Sequence, residues 1–289
     1  MSKTRKVIIT AALTGLFHGK ETCPVIPLQP EEIEAAAVEC WNAGASIVHI
    51  HVRDKSGRGS NDRAIFEDVN ARIRAKTDLI IQNSIAPPPY LEIAPVDDGL
   101  QAIEAGPDMC SLDMGPVVME FEGTVQYVPW TRSFITKAAA MMKERGIKPE
   151  MEIFNHCHVL DAVNVLIAQD LISPPYSFSF VFGQSKINHH CVPFSMEMLN
   201  HYLNLLPPNS MFSALGIGAT QMQSTIITML AGGNMRVGLE DNIFYRYGEQ
   251  AKSNAQFVER AARIIRECNL DVATPDEARA MLDLPAKKK

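Results

Sequence analysis

Ser46-Ile47-Val48-His49-Ile50-His51-Val52-Arg53-Asp54 is the stretch on which the fold reading turns. As a strand, it places Ile47, His49 and His51 on one face and Val48, Ile50 and Val52 on the other, because alternate side chains share a face. One face is apolar and the other carries two imidazoles at the strand's end, which is half of a divalent-metal site. A satisfied pair of polar histidines at a strand edge is the competing interpretation. The shared face, followed at once by Arg53 and Asp54, favours ligands.

Working outward, similar apolar runs suited to buried parallel strands lie near residues 6–13, 46–52, 78–84, 109–114, 150–154, 177–182, 211–215 and 234–239. Helical patterns follow near 30–43, 62–76, 97–105, 131–145, 159–170, 194–205, 219–231 and 250–267. The first has Pro30 inside its start, Glu31 and Glu32 in its first turn and Gly44 beyond its end. In the last, Ala255, Val258, Ala262 and Ile265 fall on one face. Eight strand–helix pairs without a linker predict a single (β/α)8 TIM barrel spanning 1–289. A doubly wound open sheet is the alternative, but no G-x-G-x-x-G follows the first strand. Thr274-Pro275-Asp276-Glu277 predicts a short extra C-terminal helix capped by Thr274, and Lys287 to Lys289 a solvated tail.

The length of 289 residues suits that fold, and 46% hydrophobic with 21% charged residues describes a soluble chain with a large core. A net charge of -6 argues against nucleic-acid or acidic-membrane partners. The six cysteines (Cys23, Cys40, Cys110, Cys157, Cys191, Cys268) are scattered without a C-x-x-C pair, as expected of reduced thiols in the cytoplasm. Lys3 to Lys6 before Val7 to Leu13 superficially resembles a signal peptide, but that apolar run is short, β-branched and flows into Thr14-Gly15 like a first barrel strand.

Active sites of such barrels sit at the C-terminal ends of the strands, where His49 and His51 fall. The eighth strand adds Arg236, Gly238 and Glu240 on one parity, with Gly238 expected to leave room beside them. Two histidines and a carboxylate hold Zn²⁺ or a similar ion and leave positions open for substrate. Asp241 can pair with Arg236 or serve as a base. Ser84 ends the third strand and Ser111 lies near the end of the fourth. His156-Cys157-His158, read as the end of strand five, repeats the His-x-His spacing, and His189-His190 follow strand six. No carboxylate falls in phase with His156 and His158 at their strand end, so these are expected in the substrate pocket or in supporting positions.

Thr10 to Gly15, the His49 to Asp54 segment, Gly232-Gly233 through Arg236, Gly238 and Glu240-Asp241-Asn242, Ser253 to Gln256 and Ala273 to Pro275 together resemble the β-keto acid cleavage enzymes. The resemblance implies a Zn²⁺-binding homo-oligomeric barrel, a tetramer by analogy, that converts a β-keto acid and acetyl-CoA to acetoacetate and a new acyl-CoA. It implies His49, His51 and Glu240 as metal ligands, Arg236 and Asp241 as the catalytic pair, and Ser84 with Ser111 as groups holding the keto acid. Thr14, Phe17 and His158 are further substrate-binding candidates.

Two departures bear on specificity. Where the aminohexanoate-cleaving member carries an acidic residue that binds the substrate's amino group, three places after the first-strand Thr14, this chain has Phe17. An aromatic ring offers no full negative charge to an ammonium, so a keto acid without an amino group is expected. The family's glycine-rich loops are replaced by Ile85-Ala86-Pro87-Pro88-Pro89 and by Gly183 to His190; glycine allows close backbone approach to a ligand, and proline removes a donor. A metal-dependent lyase, aldolase or hydrolase without CoA, or a non-catalytic metal or keto-acid binding barrel, are the alternatives.

Overall fold

Alternation of apolar and mixed faces, repeated eight times, closes a sheet on itself. The computed structural model describes residues 4–88, 93–121 and 123–285. Among these, parallel strands β1 (Ile9–Ala12), β2 (Ile47–Ile50), β3 (Ile80–Asn83), β4 (Met109–Asp113), β5 (Lys148–Ile153), β6 (Tyr176–Phe182), β7 (Ser210–Gly216) and β8 (Asn234–Val237) form a closed barrel, each hydrogen-bonded to its chain neighbours and β8 to β1. Pro89 and the Lys287 to Lys289 tail lie outside the described residues.

Helices α1 (Pro30–Ala43), α2 (Arg63–Lys76), α3 (Leu100–Glu104), α4 (Arg132–Glu144), α5 (His156–Asp161), α6 (Met196–Leu205), α7 (Thr220–Leu230), α8 (Asn254–Glu267) and α9 (Pro275–Met281) follow the strands. The outward faces of β2 and α8 meet the same core: Val48, Ile50, Val258 and Ile265 are fully buried in it. Burying a side chain such as Ile265 stabilises the fold by roughly 1.5–3 kcal/mol.

Inward residues at the strands' N-terminal ends form a second cluster, in which Ile8, Ile47, Ile80 and Met109 pack against Ala278 and Leu282 of the C-terminal segment. The short extra helix α9, capped by Thr274 in a box with Glu277, therefore plugs the barrel's N-terminal face. The opposite end is left for chemistry.

Three elements differ from expectation. The first strand is split: Lys6–Val7 pairs with Asp271–Val272, and the barrel ladder begins at Ile9. The interruption has a cause, since the Ile8 amide donates to Asn234 Oδ1 at 3.0 Å. His156 and His158 do not extend β5. Asn155 accepts from the Cys157 amide at 2.9 Å and starts α5, which runs on into a π-helical turn over Ala162–Ile167. A hairpin of Val117–Phe121 with Thr124–Val128 rises between β4 and α4. Its first strand is clasped on the other side by the loop after β6, where the Glu120 amide donates to Ile187 O at 2.6 Å and the His189 amide to Val118 O at 2.9 Å.

Candidate active site and metal centre

His49 is in β2 and His51 just beyond it, and their Nε2 atoms lie 3.3 Å apart. Glu240 Oε1 is 3.3 Å from His49 Nε2 and 3.4 Å from His51 Nε2. Side-chain parity along β8 does not account for Glu240, because that strand ends at Val237 and Glu240 lies in the following turn. The turn depends on Gly238, whose φ is 151° and whose added Cβ would lie 2.0 Å from Ala12 O. Gly238 thus allows backbone contact with β1, rather than leaving room beside the ligands. Gly15 does make such room, for a Cβ there would stand 2.8 Å from Glu240 Cγ.

Arg236 is the hub of the charge distribution. Its Nε and Nη2 donate to Asp241 Oδ2 and Oδ1 at 3.1 and 3.0 Å, Nη2 also to Glu240 Oε1 at 2.7 Å, and Nη1 to Glu152 Oε1 at 3.3 Å. Burial raises the Glu240 carboxyl, but His49, His51 and Arg236 outweigh it and hold Glu240 well below the usual carboxylate range. Asp241 is pushed up to about 6 by burial, with the Glu240 charge adding and Arg236 opposing. Asp113, beside Glu152 across β4 and β5, is pushed well up by burial and by that neighbour's charge.

One guanidinium facing Glu152, Glu240 and Asp241 leaves an excess of negative charge in a buried site. Such an excess is costly unless a cation offsets it. Glu240 Oε2 is buried without a hydrogen-bond partner among the described residues, and one donor atom from each of His49, His51 and Glu240 lies within 4.8 Å of the others. Two imidazoles and a carboxylate with an orphaned oxygen fit a divalent ion with open positions.

Above this floor the cavity is mostly apolar. Leu16, Phe17, Met119, Trp130, Phe154 and Leu215 line it, with Ser84 and Glu152 at the polar end and Gln184 and Asn188 from the loop after β6. Ser84 lies in this lining. Ser111 stands behind it and donates to Ser84 Oγ at 3.4 Å. Thr14 is buried outside the lining, its hydroxyl unpartnered among the described residues, whereas Phe17 faces the cavity.

His158 is outside this lining as well. Helix α5 turns it edge-on to Phe154, and its Nδ1 accepts from the Phe154 amide at 3.4 Å. Burial lowers it to about 4, so it is a neutral support for a cavity wall. His156 stacks instead on His201 with nitrogens 2.7 Å apart, and His190 Nδ1 donates to Pro116 O at 2.9 Å. Arg53 and Asp54 shape loops: Arg53 Nε donates to Gly15 O at 3.0 Å, and Asp54 Oδ1 accepts from the Ser56 and Arg58 amides.

Gln82, Asp113, Glu152 and the apolar wall were not singled out from the sequence. Glu150-Met151-Glu152 does carry a signal, since alternation in β5 sends Glu152 inward. The Val117–Val128 hairpin could have been read from two β-rich runs flanking Glu122-Gly123.

A family model described as beta-keto acid cleavage enzyme matches residues 6–284. A 3-keto-5-aminohexanoate cleavage enzyme of Fusobacterium nucleatum subsp. nucleatum is 36% identical over 282 residues, covering 96% of this chain and 98% of that protein. A 3-dehydrocarnitine:acetyl-CoA trimethylamine transferase of Rhizobium meliloti is 31% identical, covering 98% of each. A 3-oxoadipate:acetyl-CoA acetyltransferase of Cupriavidus necator is 30% identical, covering 98% of this chain and 96% of its own. Among solved structures, the apo structure of ObcA superposes with a TM-score of 0.72 at 17% identity over 90% of this chain and 66% of that longer one, a likeness of fold. With its motifs carried on a closed barrel and matched along nearly its whole length, the chain belongs to the β-keto acid cleavage enzyme family.

Proposed function

We propose that this chain condenses a β-keto acid bearing a neutral, apolar side chain with acetyl-CoA and releases acetoacetate and a new acyl-CoA. The observation carrying the proposal is the convergence of His49, His51 and Glu240 beside the Arg236–Asp241 pair, on the floor of an apolar-walled cavity. Relatives whose names pair a keto acid with acetyl-CoA support the choice of co-substrate.

His49, His51 and Glu240 would hold the metal, Zn²⁺ in this reading. When bound, a divalent ion supplies a Lewis acid that polarises the ketone and offsets charge developing on its oxygen. Asp241, raised to about 6, is ionised at neutral pH yet basic enough to take a proton from C2 of the keto acid, between its ketone and carboxylate. The C2 carbanion adds to the thioester carbonyl of acetyl-CoA and expels CoA thiolate. The thiolate then adds to the original ketone carbon, and retro-Claisen cleavage of the C2–C3 bond frees acetoacetate and leaves the keto acid's acyl group on the CoA sulfur. Arg236 fixes Asp241 through two hydrogen bonds and keeps its charge aimed at the same point. Ser84, backed by Ser111, offers a hydroxyl to the keto acid's oxygens. Met119, Trp130 and Phe154 exclude water from the carbanion and, with Phe17, receive the apolar side chain. Thr14 supports that end from behind.

A homo-oligomer, tetrameric by family analogy, and a cytoplasmic location complete the proposal. Among the described residues no helix is long and apolar enough to cross a membrane.

The test is turnover of a panel of β-keto acids by metal-loaded and chelator-treated protein, with and without acetyl-CoA. Metal- and acetyl-CoA-dependent acetoacetate from apolar keto acids is expected. A strong preference for 3-keto-5-aminohexanoate would overturn the side-chain assignment, and turnover without CoA would point to lyase or hydrolase chemistry.

A further inference from the structure

Gln82 is fully buried in β3, directly across from His49 in β2, where the two are register partners. A polar amide inside a barrel is costly unless hydrogen-bonded, and Gln82 Oε1 lies 2.8 Å from His49 Nδ1. An acceptor at Nδ1 holds the imidazole proton there and leaves the Nε2 lone pair free. That Nε2 is the atom facing His51 Nε2 and Glu240 Oε1, each at 3.3 Å. The opposite tautomer would set two lone pairs against each other at 2.8 Å and aim a proton where a cation belongs. Among the described residues, the exposed His156–His201 pair has no third histidine, cysteine or carboxylate close enough to complete such a set.

We infer that Gln82 is a positioning residue for the metal centre: it fixes His49 as an Nε2 ligand and, being a neutral acceptor, limits how much electron density His49 gives to the ion. A carboxylate accepting the same proton makes the imidazole a stronger donor, which tightens binding and weakens the ion as a Lewis acid. The amide therefore trades affinity for polarising power. The inference rests on the metal reading above.

The experiment is a Zn²⁺ titration of the metal-free protein in competition with a chromophoric chelator, for wild type, Gln82→Leu, Gln82→Glu, His49→Ala and Glu240→Gln. Gln82→Leu is expected to weaken Zn²⁺ binding about 10- to 100-fold, and Gln82→Glu to tighten it about tenfold. A filler of space in the barrel would give no tightening in the carboxylate variant. Wild-type affinity in Gln82→Leu overturns the inference. Should that variant not fold by circular dichroism, Gln82→Glu decides alone, and unchanged or weaker binding overturns it. Loss of binding in His49→Ala and Glu240→Gln with none of the Gln82 effects refutes this inference only. Wild-type binding in His49→Ala and Glu240→Gln refutes the metal reading and this inference with it.

Discussion

Replacing His158 with leucine should make the protein less stable at neutral pH and more stable in mild acid. His158 is 3% exposed, packs against Phe154 and accepts the Phe154 amide. Burial, with the Asp161 charge opposing and His190 assisting, lowers it to about 4 from an ordinary value of 6.5. The unfolded chain therefore binds the extra proton between pH 6.5 and 4. The sign follows: the neutral imidazole's contribution is fully present above pH 6.5, is lost as pH falls, and levels off below 4. Between pH 7 and 4.5 that loss is about 2 kcal/mol. Leucine leaves the Phe154 amide unpaired, at about 1 kcal/mol, but has no proton to gain. The two stability curves should cross near pH 6, from roughly 1 kcal/mol in favour of wild type to roughly 1 kcal/mol in favour of the variant. Urea denaturation followed by circular dichroism at pH 7 and 4.5, with chelator present throughout, measures both ends. A stability difference that does not change with pH would refute the assignment of a neutral, buried His158.

Asp241→Asn should retain Zn²⁺ at wild-type stoichiometry while kcat falls about 10²- to 10⁴-fold, seen by metal analysis beside steady-state kinetics; concurrent metal loss would make Asp241 a ligand. Gly238→Ala should destabilise the fold by more than about 2 kcal/mol, because its Cβ meets Ala12 O at 2.0 Å at a φ of 151°; an unchanged thermal midpoint would contradict the close approach to β1. Gly15→Ala should leave the fold intact but weaken metal binding by displacing Glu240, and equal affinity by chelator competition would show that Glu240 adapts. Phe17→Glu should shift kcat/KM towards amino-bearing keto acids by about tenfold or more, the scale of one new charge pair; no shift would remove Phe17 from the specificity wall.

The barrel was legible because a strand's period and a buried core leave a direct imprint. Val48 and Ile50 alternate with Ile47 and His49, and the structure buries Val48 and Ile50 in one cluster and Ile47 in the other. His49 and His51 were legible for the same reason. Glu240 was reached by extending β8 beyond its end, a parity that the turn after Val237 does not keep. The His-x-His spacing of His156 and His158 suits an extended strand, but Asn155 before it is a helix cap, and the cap wins. Gln82 and Asp113 carry no local signature of their role, and alternation at Glu152 tells only that it points inward. Their meaning comes from register across β2–β3 and β4–β5, which no single segment encodes.

Acetoacetate formation from an apolar β-keto acid, followed in the four combinations of acetyl-CoA and Zn²⁺ present or withheld, tests the central claim most directly. Product only when both are present is the expected result. Equal turnover without acetyl-CoA, or after complete metal removal, would contradict it.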